Sequence, residues 1–568
     1  MQIRRVEITN FRGIKSLTWL PRGGVNLVLG SGDSGKSSVL DAISLVLSPQ
    51  PSQAALETDY RNLDSSQPFQ IKLVLGHLSD EFLARVYPAP LWGWDSQPGV
   101  LRSGPDEENG IESVALLEVE GNSDLELQHR ILQPGNDPRP LSVPARIAAG
   151  LWSVNTNRAP DAQLRMSRGS LLERALGRDR MRAPAVAAMQ GTADTLQIPE
   201  EVSKVLERLA IRLKDAGIDI KELALSLIPS GGQSPVQLLA LAARSGDGQV
   251  PLASFGRGSQ QIAMVTLATA EVHDAPIAVI DEIESGLEPY RQRAMVALVR
   301  GLVASDGQAF MTTHSPAVLA RLGKGEAWVL RRHEEHSIGP IRGELERLMH
   351  LDPEALLSRL PIVCEGATEV GLVDFMLETL GGADPSAFGI HLIDAGGHDH
   401  ALELLEALAG DGYHTCGLVD NERFSSGKRA ALATAPLIRL YMAPGGRCLE
   451  CAVANAIPLN AMEALTELPG TAGPFLKVVD RLQAISTRLG KQSRASLPDL
   501  VASFGEGRVR DAVGEAATTG EWFKSLDAGR QLGEFAHTNL ESNHEFLTTF
   551  RDLVTWAMER VRSAHPEH

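Results

Sequence analysis

Short apolar runs alternate along the chain with longer segments whose apolar residues recur at helical spacing. Residues 25–29 predict a buried strand, and residues 38–47 have the spacing of a helix. Further strands are predicted at 3–8, 17–20, 69–75, 114–119, 277–280 and 309–315. The segments 88–94 and 98–110 carry proline or glycine and are predicted to be surface loops. The alternation of strands and helices favours an α/β fold.

The loop between the strand at 25–29 and the helix that follows is rich in glycine. It reads Gly30-Ser31-Gly32-Asp33-Ser34-Gly35-Lys36-Ser37, followed by Ser38. This order fits the phosphate-binding pattern G-x-x-x-x-G-K-S, in which glycines let the backbone N–H groups surround phosphates. Lys36 would add a positive charge, and the Ser37 hydroxyl would complete a Mg²⁺ shell. The loop therefore predicts a nucleoside triphosphate site formed by Gly30, Gly32, Asp33, Gly35, Lys36, Ser37 and Ser38.

Further motifs of a triphosphate site follow in the region 254–315. A Ser/Gly turn that includes Ser254 and Gly256 precedes a helix predicted at 262–272, and such a turn is an anion site. The strand at 277–280 ends in Asp281 and Glu282, which suit Mg²⁺ support and water activation. The strand at 309–315 includes His314.

Carboxylates follow three successive apolar runs in the second half of the chain. Glu365 follows 360–364, Asp394 follows 390–393, and Asp420 follows 416–419. Because parallel strand ends meet at one edge of a sheet, these acids, together with Glu369 and Glu422, are expected to converge there. Such oxygen donors suit Mg²⁺ or Mn²⁺ and can hold two ions at a phosphodiester. The alternative is that the acids merely mark polar strand ends.

Composition limits the class of protein. The 568 residues are enough for about three domains. A formal net charge of −17 argues against nonspecific coating of nucleic acid but not against a local basic track. Residues 158–182 carry seven arginines against three acids, and residues 481–510 carry six basic residues against two acids. Each segment is either a DNA-binding track or a solvated helix face.

The four cysteines fit a reducing compartment. Cys364 and Cys416 are predicted to be core residues, while Cys448 and Cys451 have no second pair to complete a zinc site. No apolar stretch approaches the ~18–20 residues that span a bilayer, and the N-terminus begins with a strand pattern rather than a signal peptide. We therefore expect a cytoplasmic protein without a membrane partner.

The ordered motifs of the first half resemble the ATPase head of the ABC superfamily, including SMC-like and RecF-like proteins. The resemblance implies that Lys36 and Ser37 hold phosphates and Mg²⁺, Glu282 is the hydrolytic base and His314 senses the γ-phosphate. It also implies that Ser254 and Gly256 complete an ATP site across a head-to-tail dimer. Because the turn departs from the usual Leu-Ser-Gly-Gly-Gln signature, Ser259 is an alternative to Ser254.

The second half resembles the Toprim domain, although Glu422 stands where the family usually has an aspartate. With the Trp522-Phe523-Lys524 element near the end, the whole chain resembles class 2 members of the OLD family of ATP-dependent nucleases, which include the nuclease of the Gabija anti-phage system. This resemblance implies two-metal DNA cleavage. The implied metal ligands are Glu365, Glu369, Asp420 and Glu422, with Glu450 and Asp394 as further candidates. Lys524 would stabilise charge on the scissile phosphate.

The resemblance also implies a domain order, oligomerisation and partners. We expect an ABC-type ATPase in two parts, 1–155 and 246–345, interrupted by a helical dimerisation insertion at 156–245. A Toprim nuclease domain would occupy 355–540 and a C-terminal helix 541–568. DNA, a homodimer or higher homo-oligomer formed through the insertion and the ATPase heads, and a UvrD-like helicase are the expected partners.

Two other functions fit parts of the same pattern. One is an ATP-driven DNA-binding clamp or loader, in which the acidic edge is structural. The other is a topoisomerase, which needs a tyrosine nucleophile. None of the five tyrosines lies in a recognisable DNA-cleavage domain.

Overall fold

The computed structural model describes most of the chain from Met1 to Ser563. The residues outside the description are 31, 33, 49–53, 155–162, 168–169, 190–195, 228–234, 246–247, 271–275, 305, 333–334, 383, 421–430, 433, 447, 472–477 and 564–568. Two residues predicted for the sites, Asp33 and Glu422, therefore lie outside the described residues. The chain divides into two compact units, Met1–Ile341 and Arg342–His568. No helix of the described residues is both long and apolar enough to cross a membrane.

The first unit combines strands and helices. Its strands are β1 Gln2–Phe11, β2 Ile14–Trp19, β3 Gly24–Leu29, β4 Phe69–Gly76, β5 Trp92–Asp95, β6 Val100–Arg102, β7 Glu112–Gly121, β8 Leu127–Gln133, β9 Asn136–Pro140, β10 Leu151–Val154, β11 Glu222–Leu227, β12 Leu239–Ser245, β13 Gly248–Pro251, β14 Ile277–Ile280, β15 Gln308–Thr312, β16 Ala327–Arg332 and β17 His336–Pro340. Its α-helices are α1 Lys36–Leu47, α2 Asp80–Val86, α3 Val143–Ala148, α4 Leu171–Leu176, α5 Arg178–Met189, α6 Glu200–Asp215, α7 Arg257–Ala270, α8 Pro289–Val303 and α9 Pro316–Leu319.

A sheet with the strand order β10-β14-β15-β3-β16-β17 carries the nucleotide motifs. The strands β10, β14, β15, β3 and β16 run parallel, and β17 is antiparallel. Residues 25–29 and all of β14 and β15 are buried, as expected for strands covered on both faces. The parallel order brings the ends of β3, β14 and β15 to one edge, where Lys36, Asp281 and His314 follow.

A second, antiparallel sheet has the order β2-β1-β4-β7-β5-β6, with β8 and β9 continuing from β7. Its strands β5 and β6 correct the prediction of surface loops at 88–94 and 98–110. Trp94 is buried against Val74, Val114 and Leu116, and the Trp92 indole donates to the Leu132 carbonyl oxygen at 2.8 Å. Tryptophan packing therefore outweighs the proline and glycine residues that suggested a loop.

The insertion predicted at 156–245 is helical only in part, which corrects that prediction. Helices α4, α5 and α6 occupy its first portion, and β11 and β12 lie in its second portion. Together with β13 they form a three-stranded antiparallel sheet. Residues 239–243 are all buried, so their packing favours a strand over the leucine-rich helix that the sequence suggested.

The second unit has a parallel sheet surrounded by helices. Its strands are β18 Leu360–Cys364, β19 Ile390–Asp394, β20 Thr415–Val419 and β21 Ile438–Met442, in the order β19-β18-β20-β21. Its α-helices are α10 Glu344–Leu351, α11 Pro353–Leu357, α12 Ala367–Gly381, α13 His398–Gly410, α14 Leu449–Ala456, α15 Met462–Glu467, α16 Val478–Arg488, α17 Leu497–Phe504, α18 Glu506–Thr519, α19 Leu526–Asn539 and α20 Glu545–Ser563. The predicted core cysteines Cys364 and Cys416 are buried in this sheet.

Candidate functional site

The phosphate loop has the backbone that its glycines allow. Gly35 caps α1 with a φ of 96° and Gly30 has a φ of 155°, conformations that side chains with a Cβ rarely adopt. A Cβ on Gly30 would lie 2.7 Å from both the Leu330 carbonyl oxygen and the Ser34 hydroxyl. The buried Lys36 donates from Nζ to the Gly30 carbonyl oxygen at 3.0 Å. The loop thus folds around its own lysine at the N-terminus of α1, where backbone N–H groups favour an anion.

The predicted Mg²⁺-supporting residues meet at the sheet edge. The Ser37 hydroxyl donates to Oδ1 of Asp281 at 3.2 Å, across 244 residues of sequence. The Thr312 hydroxyl donates to the same oxygen at 2.5 Å and accepts from the Glu282 backbone N–H at 2.9 Å. Thr312 ends β15, which lies between β3 and β14. Sequence reasoning missed Thr312, although its place two residues before His314 on a predicted strand was a usable signal.

Glu282 and His314 occupy the same edge in constrained positions. Glu282 has a φ of 49°, unusual for a residue with a side chain, and its Oε2 accepts from the Ser285 hydroxyl at 3.1 Å. His314 is exposed, and its backbone N–H donates to Glu284 at 2.6 Å. The strain at Glu282 is typical of functional positions.

The predicted signature turn faces solvent. Ser254 and Gly256 are exposed, and the Ser254 hydroxyl donates to the Pro251 carbonyl oxygen at 2.7 Å. The buried Gly258 packs on the loop after Glu282, where a Cβ would lie 2.2 Å from the Gly286 carbonyl oxygen. Ser259 is half-buried in the first turn of α7. The choice between Ser254 and Ser259 as the serine that completes an ATP site stays open.

In the second unit, Glu365 stands at the end of the central strand β18. Its Oε2 accepts from the Asp420 backbone N–H at 3.0 Å and lies 3.2 Å from Nδ1 of His398. Its backbone carbonyl accepts from the Gly397 N–H at 2.8 Å. His398 is buried at the first position of α13. The sequence offered one signal for this residue, the Gly396-Gly397-His398 turn after a predicted strand.

Two acids near Glu365 are almost fully buried. Glu369 lies in the first turn of α12 and Glu450 in the first turn of α14, each 4% exposed. Burial raises the pKa of Glu369 well above its ordinary value, and the charges of Asp420 and Glu450 raise it further. Burial also raises the pKa of Glu450, and Glu365 adds to the effect. Four of the predicted carboxylates therefore form one electrostatic cluster.

Lys524 adds a cation to the carboxylate cluster. Burial lowers its pKa, but Glu369, Glu450, Asp420 and Glu365 outweigh that effect and raise the pKa above its ordinary value. Lys524 follows the buried pair Trp522 and Phe523, and the Thr368 hydroxyl donates to the Phe523 carbonyl oxygen at 2.9 Å. The lysine from the end of the chain is thus held beside the first turn of α12.

Asp420 bridges two elements of the cluster, whereas Asp394 ends the neighbouring strand β19, opposite Cys364. Oδ1 of Asp420 accepts from the Leu449 backbone N–H at 3.1 Å, which joins the end of β20 to the N-terminus of α14. Asp394 is exposed, and its Oδ1 accepts from the Gly396 N–H at 2.9 Å within its own turn. Contacts of the described residues therefore support Asp420 as a member of the cluster and place Asp394 in a turn.

The carboxylate cluster fits a divalent cation in its chemistry. Among the described residues, which omit Glu422, no three His, Cys, Asp or Glu side chains form a ready metal-binding group. However, Oε2 of Glu369 and Oε1 of Glu450 are buried and accept no hydrogen bond from a described residue. Buried carboxylate oxygens without donors are costly unless a cation or a proton satisfies them. An all-oxygen set suits Mg²⁺ or Mn²⁺.

Family models match three parts of the chain. Residues 1–128 match an AAA ATPase domain, and residues 139–320 match the family described as "AAA domain, putative AbiEii toxin, Type IV TA system". Residues 356–421 match the Toprim domain of overcoming lysogenization defect protein-like proteins. The comparison with curated proteins gave no match.

Solved structures similar to the chain include SMC heads. The Smc head bound to the C-winged helix domain of ScpA is 14% identical, covers 62% of this chain and 100% of its own, and has a TM-score of 0.41. The Smc head with an extended coiled coil, bound to the C-terminal domain of ScpA from Pyrococcus furiosus, is 12% identical, covers 62% and 98%, and has a TM-score of 0.40. The SMC head from Thermotoga maritima is 13% identical, covers 60% and 100%, and has a TM-score of 0.31.

The predicted α/β fold, with an ATPase domain followed by a Toprim domain and helical additions, is confirmed. These domains use ATP and divalent cations. AAA ATPase segments followed by an OLD-like Toprim domain match the ATPase–Toprim architecture of OLD family proteins.

Proposed function

We propose that the chain is a Mg²⁺- or Mn²⁺-dependent DNA endonuclease or nickase regulated by its ATPase domain. One observation carries the proposal: Glu365, Glu369, Asp420 and Glu450 act on one another electrostatically, and two of them present buried oxygens without hydrogen-bond donors. A purely structural set of strand-end acids would be solvated or paired.

The residues of the cluster have distinct roles in this proposal. Glu365, Glu369, Asp420 and Glu450 would hold the cations, with Glu422 a further ligand from outside the described residues. Bound there, divalent cations supply Lewis acidity and lower the pKa of an attacking water. Lys524 lies beside the four acids that would hold the cations, and there it would stabilise negative charge on the scissile phosphate.

The ATPase residues control access or assembly. Lys36 and Ser37 bind the phosphates, Asp281 supports Mg²⁺, and Glu282 orients the attacking water. Assembly of a homodimer or higher homo-oligomer through the insertion and the ATPase heads, with Ser254 and Gly256 completing the ATP site, is part of the same proposal. The anti-phage role and a UvrD-like helicase partner remain predictions from the family resemblance.

The decisive experiment is cleavage of supercoiled plasmid with and without ATP in Mg²⁺, Mn²⁺ or Ca²⁺. Wild-type protein is expected to cut, and the variants Glu365→Ala and Asp420→Ala to lose at least 100-fold in rate. Glu403→Gln, an exposed acid on α13, is the matched control and should cut like wild type.

Each other outcome points to a different function. Equal cutting by Glu365→Ala and wild type overturns the metal-site assignment. ATP-dependent DNA binding without scission in any metal favours the clamp or loader. A covalent protein–DNA adduct after quenching with denaturant favours a topoisomerase.

A further inference from the structure

Two cations flank one aromatic ring in the helical part of the second unit. Nζ of Lys491 lies 5.7 Å from the centroid of the Phe504 ring, and Cζ of Arg508 lies 5.6 Å from it. Lys491 follows α16, Phe504 ends α17 and Arg508 is in the first turn of α18. Phe504 and Lys491 are half-buried and Arg508 is exposed. Three separate elements thus create one basic surface, called here the Phe504 patch and consisting of Lys491, Phe504 and Arg508.

Three other arginines of this region already form hydrogen bonds or ion pairs within the protein. Arg481 is 1% exposed and donates from Nη1 to the Thr466 carbonyl oxygen at 3.0 Å, so this arginine is structural. Arg488 pairs with Glu515 at 3.3 Å, and Arg510 pairs with Glu506 at 2.7 Å. The basic track predicted at 481–510 is therefore not a uniform binding surface.

The two cations of the Phe504 patch differ from these neighbours. Neither Lys491 nor Arg508 forms an ion pair with a described residue. Lys491 donates to the Ser503 hydroxyl at 3.4 Å, and the nearby Asp499 accepts instead from Ser496. Two uncompensated like charges around one ring repel each other, and an anion bound between them relieves that repulsion. In a chain with a formal net charge of −17, such a surface selects for an anionic partner.

The helix that carries Arg508 also connects the patch to the carboxylate cluster. Near its N-terminus, Arg510 donates to the Ile457 carbonyl oxygen at 2.6 Å, at the C-terminal end of α14. Near its C-terminus, Thr518 lies 3.0 Å from Sγ of Cys448, which caps the N-terminus of α14. The helices are therefore antiparallel, and Thr518 lies beside the first turn of α14, which carries Glu450.

This arrangement sets a distance along the helix. Ten residues separate Arg508 from Thr518, which at a rise of ~1.5 Å per residue is about 15 Å. A DNA duplex advances ~3.4 Å per base pair, so a duplex lying along α18 would span about four base pairs between Arg508 and Thr518, which lies at the acidic cluster.

We propose that the Phe504 patch binds phosphates of the duplex DNA backbone about four base pairs from the cleaved bond. This inference rests on the proposed nuclease function and names where its substrate is held. The half-buried Phe504 ring is flanked by cations and is not open for base stacking. The patch therefore binds backbone phosphates without a sequence preference.

The test measures binding separately from cleavage. Fluorescence anisotropy with a labelled 30-base-pair duplex in Ca²⁺, across salt concentrations, compares wild type with the double variant Lys491→Ala/Arg508→Ala. The expected result is an affinity loss of about tenfold and a salt dependence reduced by about 1.8 in log–log slope, since each phosphate contact contributes ~0.9. Arg488→Ala removes an exposed arginine of α16 already paired with Glu515 and should change affinity less than about twofold.

The outcomes separate this proposal from the nuclease proposal. Unchanged affinity and slope in the double variant overturn the patch, whatever the plasmid assay shows. If the double variant loses affinity only for a single-stranded 30-mer, the assignment of duplex DNA as the ligand is overturned. If Arg488→Ala and the double variant lose the same affinity, the patch proposal is also overturned, because the loss would then follow from the change in net charge and not from the position of the residues. A changed slope together with a wild type that never cuts supports the patch while overturning the nuclease function.

Discussion

Nδ1 of His398 lies 3.2 Å from Oε2 of Glu365, and the same oxygen accepts the Asp420 backbone N–H at 3.0 Å. His398 is 6% exposed at the start of α13, so its ring has little freedom to move. In the tautomer with a proton on Nδ1, two donors fix the orientation of the Glu365 carboxylate, a proposed metal ligand. Such outer contacts orient metal ligands.

Replacement of His398 tests this orientation. His398→Ala is expected to weaken Mn²⁺ binding, measured by isothermal titration calorimetry, by about 10–100-fold and to slow plasmid cleavage similarly. His398→Asn, which keeps a donor near Nδ1, should recover most of the affinity. Equal affinity in wild type and His398→Ala contradicts the orienting role, and equal loss in both variants indicates a packing effect instead.

Glu369→Gln tests whether the buried acids are a metal site. Because burial and neighbouring carboxylates raise the pKa of Glu369, the neutral glutamine should cost the metal-free protein less than about 1 kcal/mol. Mn²⁺ at 100 times its Kd should stabilise wild type by about 2.7 kcal/mol, raising Tm by about 5–11 °C. The variant should lose that Tm increase in differential scanning calorimetry. A Tm increase of wild-type size in Glu369→Gln would remove this residue from the site.

Thr312→Val tests the hydroxyl that joins Asp281 to the Glu282 backbone. The change removes both hydrogen bonds but keeps the shape of the β15 side chain. We expect ATP hydrolysis to fall about tenfold while ATP binding stays within about twofold, because the phosphate loop is untouched. Thr312→Ser should restore hydrolysis. A wild-type rate in Thr312→Val shows that the bridge has no role in catalysis.

Close packing of α12 and α19 holds Lys524 in place. A Cβ on Gly371 would lie 2.1 Å from the Leu526 carbonyl oxygen, and one on Gly529 would lie 2.4 Å from the Thr368 carbonyl oxygen. Gly371→Ala should therefore cost about 1–3 kcal/mol in unfolding free energy and slow cleavage. Gly507→Ala, on α18 with nothing near the added Cβ, is the control and should not destabilise. Urea unfolding and the plasmid assay measure both effects.

A half-buried histidine makes the first unit sensitive to acid. His129 lies 3.0 Å from the Leu45 carbonyl oxygen, and burial together with Arg146 lowers the pKa of His129 to about 4. A histidine whose folded pKa is depressed contributes stability above its ordinary pKa of about 6.5, and this contribution is lost as pH falls toward 4. His129→Gln should remove at most about 3 kcal/mol of that pH dependence. Identical unfolding curves for both proteins across this range would contradict the effect.

The sequence predicted the elements whose patterns are local. The phosphate loop, the strand before Asp281 and the strand before Glu365 follow from apolar runs bounded by glycines or acids. The strands β5, β6, β11 and β12 were mispredicted because tertiary packing, not local composition, makes these segments strands. His398 and Thr312 were missed because their roles depend on partners more than 30 residues away or on a neighbouring strand. Asp394 looked equivalent to Asp420 from its spacing alone, and only the contacts separate them.

The Asp420 carboxylate accepts a hydrogen bond from the Leu449 N–H at the start of α14 and also belongs to the acidic cluster. A cation that draws Asp420 toward itself weakens that cap, and fraying of the first turn of α14 releases Glu450 as well. By linkage, metal affinity and the order of this helix end must then influence each other equally. In the proposed metal site, Asp420 therefore couples metal loading to the order of the helix end that carries Glu450.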